Sequence, residues 1–154
     1  ALLRTLRHVH IFRSLPTSKL RELASMVVEA RFEPGEVVMR EGELDSTFFI
    51  IAEGVAIVTK AVTDGGPDKV LTELHEGDYF GERTLLTHEP RNATVTAKQT
   101  PAKLAKLSGH VDGPLRCLQV SKVAFEEVLG PLADLMHADS EWRLHTFMVR
   151  AGQG

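Results

Sequence analysis

Apolar residues at the start of the chain recur at helical spacing. Leu2, Leu6 and Val9 share a face, with Leu3 beside them, and predict a short N-terminal helix. Ile11-Phe12 runs on to Leu15-Pro16, where the proline disfavours a helical residue before it. Thr17 or Ser18 is placed to cap a second helix that carries Leu20, Leu23, Met26 and Val27 on one face. The period then shortens. Strand-like runs follow at Arg31-Phe32-Glu33, 37–39, 47–51, 55–59, 70–74, 93–98, 102–107 and 115–120. Glycines at 35, 42, 54, 65, 77 and 81 punctuate them, and 64–68 (Asp-Gly-Gly-Pro-Asp) reads as a hairpin loop. Such frequent turns between short strands predict a sandwich, jelly roll or barrel. From Ser121 the helical period returns. Ser121 is a cap, Val123, Phe125 and Val128 are expected to face inward, and Gly130-Pro131 is expected to break the helix. A last helix from about Leu132 to Val149 carries Leu132, Leu135 and Met136 near its start and Trp142, Phe147 and Met148 near its end. The pattern predicts an α+β domain: N-terminal helices, a β-roll or jelly roll of about eight strands, then two helices.

Composition narrows what such a domain can do. The 154 residues suffice for one domain with a core, and 43% apolar with 25% charged residues is ordinary for a globular protein. A net charge of −3 argues against a nucleic-acid or anionic-membrane surface, which needs clustered Lys and Arg. The single Cys117 excludes an internal disulfide and a cysteine-based zinc site, alternates as a core residue, and suits a reducing, cytoplasmic setting. No apolar run approaches the roughly 18 residues of a membrane span. The start lacks both a secretion signal and an initiator Met, so the chain reads as a domain cut from something larger. Among seven histidines only His8 and His10 are close, and on a helix they point apart, so no metal site is expected. No Ser, Cys or His constellation points to catalysis, and nothing calls for a prosthetic group.

The chemistry concentrates in the stretch 80–95. Gly81 permits close approach of backbone N–H groups, and the short helix after it offers unpaired donors and a partial positive charge. Glu82 follows directly, and Arg91 comes nine residues later. A guanidinium clamps phosphate through parallel charge-assisted hydrogen bonds, and a carboxylate accepts from vicinal ribose hydroxyls. Phosphate and ribose together mean a nucleotide.

With Phe80-Gly81-Glu82, Leu85-Leu86, Arg91 and Ala93-Thr94-Val95 at this spacing, the chain resembles the cyclic nucleotide-binding domain family. Glu33-Pro34-Gly35-Glu36, the run 48–54 and 76–79 (Glu-Gly-Asp-Tyr) resemble that family's early turns and strand. The resemblance covers nearly the whole chain. It implies N-terminal helices over 1–28, a β-roll over 29–120 with its phosphate cassette at 80–95, and hinge and lid helices over 121–150. It implies a binding set of Gly81, Glu82, Arg83, Thr84, Leu85, Arg91, Asn92 and Ala93. In it, Glu82 takes the ribose 2′-hydroxyl, Arg91 the cyclic phosphate, and backbone amides near Thr84 and Leu85 assist. Thr84 stands where the family usually has Ala, and the linker at 108–114 is longer than the family needs.

The runs 47–51 and Glu89-Pro90-Arg91 resemble regulatory domains of cyclic-nucleotide-dependent protein kinases, the cGMP-dependent type in particular. Asn92, with a donor and acceptors, suits a guanine edge and so favours cGMP over cAMP. The resemblance further implies a hinge at Gly130-Pro131 and a lid helix that closes over the base, with Trp142, Arg143, His145 and Phe147 as capping candidates. The partner would be a kinase catalytic domain, in cis or in trans, relieved of inhibition when the ligand binds. The alternatives are a cAMP-binding regulatory domain of a kinase, channel or transcription regulator, or a divergent member that binds another nucleoside-like ligand.

Overall fold

The computed structural model describes residues 2–152, with side chains described through Arg143. Three helical pieces come first: α1 (Leu2–Arg7), a 3-10 turn (His10–Ser14) and α2 (Thr17–Met26). Eight strands follow: β1 (Val28–Phe32), β2 (Val37–Met39), β3 (Phe48–Glu53), β4 (Ala56–Lys60), β5 (Lys69–Leu74), β6 (Tyr79–Phe80), β7 (Thr94–Ala97) and β8 (Leu115–Val120). The helices α3 (Arg83–Thr87) and α4 (Ala102–Ser108) interrupt them. After β8 come α5 (Lys122–Ala124), a π turn (Phe125–Leu129), a 3-10 turn (Gly130–Leu132) and α6 (Ala133–Gly152). The strands form two four-stranded sheets, β1-β8-β3-β6 and β2-β7-β4-β5, with antiparallel neighbours throughout.

The run Phe48-Phe49-Ile50-Ile51 is buried at every position, as a strand covered on both faces must be. Side chains alternate across a strand, so its residues divide between two cores. Phe48 and Ile50 face the helices, with Tyr79, Leu118, Val120, Phe125 and Met136. Phe49 and Ile51 face the second sheet, with Phe80, Leu115, Cys117, Val58 and Val95. Phe48 holds the helical side together: its ring meets Tyr79 edge-on at 6.2 Å and Phe125 edge-on at 6.1 Å. Leu6, Val9, Phe12, Leu20 and Leu23 bring the N-terminal helices onto the same core. Burial also raises the Cys117 thiol pKa to about 12, which keeps it protonated in the core.

Several local expectations are corrected. The segment 102–107 is not a strand but the helix α4. Ala-Lys-Leu-Ala-Lys-Leu lacks β-branched residues, Pro101 opens the helix, and Gly109 closes it in the left-handed region at φ 72°. No residue of α4 is buried. The linker after it is held by Asp112, which accepts from the Thr100 amide (2.6 Å) and hydroxyl (3.0 Å) and lies 3.0 Å from His110 Nε2. The short β6 goes unseen in the sequence because two residues carry no period. Neither Thr17 nor Ser18 caps α2 through its side chain, since Pro16 occupies the cap position.

Ser121 does cap α5, accepting from the Ala124 amide at 3.1 Å. Val123 is exposed, because two residues before Phe125 it lies on the opposite side of the helix. Leu135 is half exposed, since Leu132 and Met136, four apart, define the buried face. Gly130-Pro131 does not break the chain into separate helices: Gly130 is right-handed helical, and the winding passes from π to 3-10 to α.

Phe48→Ala is expected to destabilise the domain by about 3–5 kcal/mol, read as a lower midpoint in urea unfolding. It removes a fully buried ring shared by a strand, β6 and the C-terminal helices.

Candidate functional site

The cassette begins where β6 ends, at the edge of the first sheet. Phe80 anchors it, stacking on Phe49 at 5.2 Å in the inter-sheet core. At Gly81 the chain turns out of the sheet with φ +86°. A Cβ there would lie 2.8 Å from Arg91 Nη1, so only glycine permits both the turn and the close guanidinium. Leu85 then drives α3 down by entering the helix-side core.

Arg91 sits on the loop between α3 and β7. Its amide donates to Glu43 O (2.7 Å) and its carbonyl accepts from the Gly42 amide (2.8 Å), which pins it to the β2–β3 loop. The side chain is 1% exposed. Nη1 donates to the Gly81 carbonyl and Nη2 to the Thr47 carbonyl. Nη1 also lies 3.5 Å from Thr84 Oγ1, and Nη2 3.9 Å from the Asp45 carboxylate. Nε is buried without an acceptor, alone in that respect among the described side chains. Burial lowers the guanidinium pKa, and Asp45, Glu43 and Glu82 oppose the shift.

The cavity beside Arg91 measures about 30 Å³. Gly81, Glu82, Arg83, Thr84, Arg91, Asn92 and Ala93 all line it, over a floor that includes Met39, Val58 and Phe80. Leu85 does not: its side chain belongs to the core, and its amide donates to the Glu82 carbonyl at 3.1 Å. The Asn92 backbone is tethered by Lys60 Nζ, which donates to its carbonyl at 2.8 Å.

Helix α6 closes this cavity with charged side chains. Arg143 Nη1 lies 3.5 Å from Glu82 Oε1, a carboxylate 5% exposed. Arg143 Nη2 donates to the Tyr79 carbonyl at 2.6 Å, and the guanidinium sits 4.8 Å above the Tyr79 ring. The Tyr79 hydroxyl donates to Asp139 on α6. One residue along the cassette the signs reverse: Arg83 donates to Glu141 (2.9 Å), to Ser140 (3.3 Å) and to Glu89 (3.3 Å). Burial works against the Arg143 charge, but Glu82, Tyr79 and Asp139 outweigh it and raise its pKa. The Arg83 hydrogen bond holds the Glu141 carboxyl below its ordinary range. Beyond Arg143 lies a larger cleft of about 390 Å³, lined by Thr72, Leu74, Tyr79, Asp139, Trp142 and the N-terminal Val9–Ile11 segment.

Of the capping candidates, Arg143 lies at the cavity, and Trp142 is 67% exposed at the rim of the cleft. The side chains of His145 and Phe147 lie outside the described residues. Sequence reasoning missed the Thr47 carbonyl, Tyr79, Asp139, Ser140 and Glu141. A signal existed for one of them: Glu141 and Arg143 on α6 mirror Arg83 and Glu82 in the cassette. Among the described residues no cluster of His, Cys, Asp and Glu is placed for a metal ion, and no helix is long and apolar enough to cross a membrane.

The family profile described as "Cyclic nucleotide-binding domain" matches residues 29–111, more than half of the chain. The chain belongs to the cyclic nucleotide-binding domain family. It is 34% identical over 136 residues to the cAMP-dependent protein kinase regulatory subunit of Blastocladiella emersonii, covering 88% of this chain and 30% of that one. It is 28% identical over 130 residues to human cGMP-dependent protein kinase 2, covering 84% of this chain and 15% of that one. Among solved structures, the regulatory domain of Toxoplasma gondii PKA with cAMP superposes with a TM-score of 0.77 at 27% identity, covering 91% of this chain and 48% of that one. This cyclic nucleotide-binding domain therefore spans less than a third of the length of either curated relative.

Gly81→Ala is expected to cost about 1–3 kcal/mol in stability, read by urea unfolding. It puts a Cβ in the left-handed region and against the Arg91 guanidinium.

Proposed function

We propose that this domain is a non-catalytic sensor that binds a cyclic purine nucleotide and regulates a protein kinase of which it is a part or a partner. The observation that carries the reading is Arg91 Nε: a buried cationic donor without an acceptor, beside a cavity that also holds the buried Glu82. Leaving a buried donor unpaired costs about 1–3 kcal/mol, and more for a charged group. An anion entering the cavity removes that cost. The cyclic phosphate binds at Arg91 with help from Thr84, whose hydroxyl already lies beside the guanidinium. The ribose 2′-hydroxyl donates to Glu82. The purine extends toward the cleft past Thr72 and Leu74, within reach of the exposed Trp142.

Asn92 lines the cavity and offers both donor and acceptor, which supports cGMP. The relatives named as cAMP-dependent regulatory subunits support cAMP as the second reading. Signalling follows from α6. A ligand with unequal affinity for two placements of this helix shifts the population between them. That shift reaches a catalytic domain as a coupling free energy. The cytoplasmic setting rests on the same kinase context.

Titration of the 154-residue chain with cGMP and with cAMP by calorimetry tests the proposal. Arg91→Ala is expected to lose about 2–5 kcal/mol of binding, about thirty- to several-thousand-fold in affinity. Parent-like binding by this variant sinks the proposed site.

A further inference from the structure

We infer that Arg143 is a competitor of the ligand, built into α6, which occupies the ribose carboxylate Glu82 and latches the helix over the cassette. The inference rests on the proposed nucleotide site and adds its regulation. Arg143 is held on several sides: by Glu82 at 3.5 Å, by the Tyr79 carbonyl at 2.6 Å, by the Tyr79 ring at 4.8 Å and by Asp139 at 4.0 Å. The Arg83–Glu141 bond at 2.9 Å ties the next turn of contact with opposite polarity, so the two pairs fix the register of α6 on α3.

Space makes the contact exclusive. The cavity under Arg143 measures about 30 Å³, room for only about one or two water molecules. A ribose and a cyclic phosphate do not fit there until Arg143 withdraws. Ligand entry and the Glu82–Arg143 pair are therefore alternatives, and apparent affinity falls by the fraction of time that the pair is formed.

A residue that caps the base and a residue that guards the ribose site give opposite signs on removal. Loss of a cap weakens binding, and loss of a guard strengthens it. Arg143→Gln is expected to bind cGMP and cAMP about 5- to 50-fold more tightly than the parent chain, the range of an ordinary coupling between sites. Arg143→Lys, which keeps the charge, is expected to stay near the parent. Equal or weaker binding by Arg143→Gln overturns the inference.

A second measurement needs no nucleotide. Amide hydrogen exchange across α6 is compared in the parent, Glu82→Gln, Arg143→Gln and the double variant. The latch requires that each single change speed exchange in α6 and that the double change add little to either. Additive effects, or none, overturn it. The two readings fail separately. If no chain binds a cyclic nucleotide while the exchange cycle is coupled, the proposed ligand is wrong and the latch stands. If Arg91→Ala abolishes binding while the exchange cycle is additive, the site stands and the latch falls.

Discussion

The first sheet has to be covered on both faces. Phe48-Phe49-Ile50-Ile51 exposes nothing, so helices lie on one side of it and the second sheet on the other. That constraint also sets where the site forms. Tyr79 and Phe80, at the edge of the same sheet, divide between the same two cores, and the chain leaves at Gly81. The cassette is thereby suspended at the seam between sheet and helices. One side reaches Arg91 and the other reaches α6. A cavity floored by the inter-sheet core and roofed by a helix anchored in the helical core follows from the division of one strand.

The charges of Glu82, Arg83, Arg91 and Arg143 at that seam are expensive unless paired, because these side chains are largely withdrawn from water. The domain resolves this unevenly. Glu82 and Arg83 find opposite charges on α6, and the Arg91 hydrogens on Nη1 and Nη2 find backbone carbonyls. Arg91 Nε finds nothing. Carbonyl dipoles hold the guanidinium in place, and its nearest carboxylate, the largely exposed Asp45, stays 3.9 Å away. The Glu82–Arg143 pair does the reverse and satisfies the carboxylate internally. One half of the site leaves a buried donor open and the other half is closed by an ion pair.

Much of this was legible in the chain. Gly81, Glu82, Arg91 and Ala93 lie within one short stretch, where fixed spacing and turn chemistry act locally. The strands at 48–53 and 115–120 announced themselves by apolar runs and flanking turns. The misreadings are local competitions. At 102–107 a short apolar-containing run suggested a strand, but helix propensity and the Pro101 and Gly109 boundaries prevailed on a surface where packing imposes nothing. At Val123 and Leu135 apolar character was taken for burial, though their angular positions on the helix place them outside.

Residue types and spacing alone pointed to an α+β domain with a β-roll and to an anion site around Gly81, Glu82 and Arg91, while the family resemblance implied the helix over it. Only the tertiary structure decided what that helix does at the cassette. The Thr47 carbonyl that holds Arg91 is backbone, which every residue possesses and no pattern marks. The pairing of Arg143 with Glu82 joins residues far apart in the chain, and it depends on how α6 crosses α3, which the packing of Leu132 and Met136 against the core of Phe48 sets. Local propensity is written residue by residue, but the meeting of two distant charges is decided by the shape of the core between them.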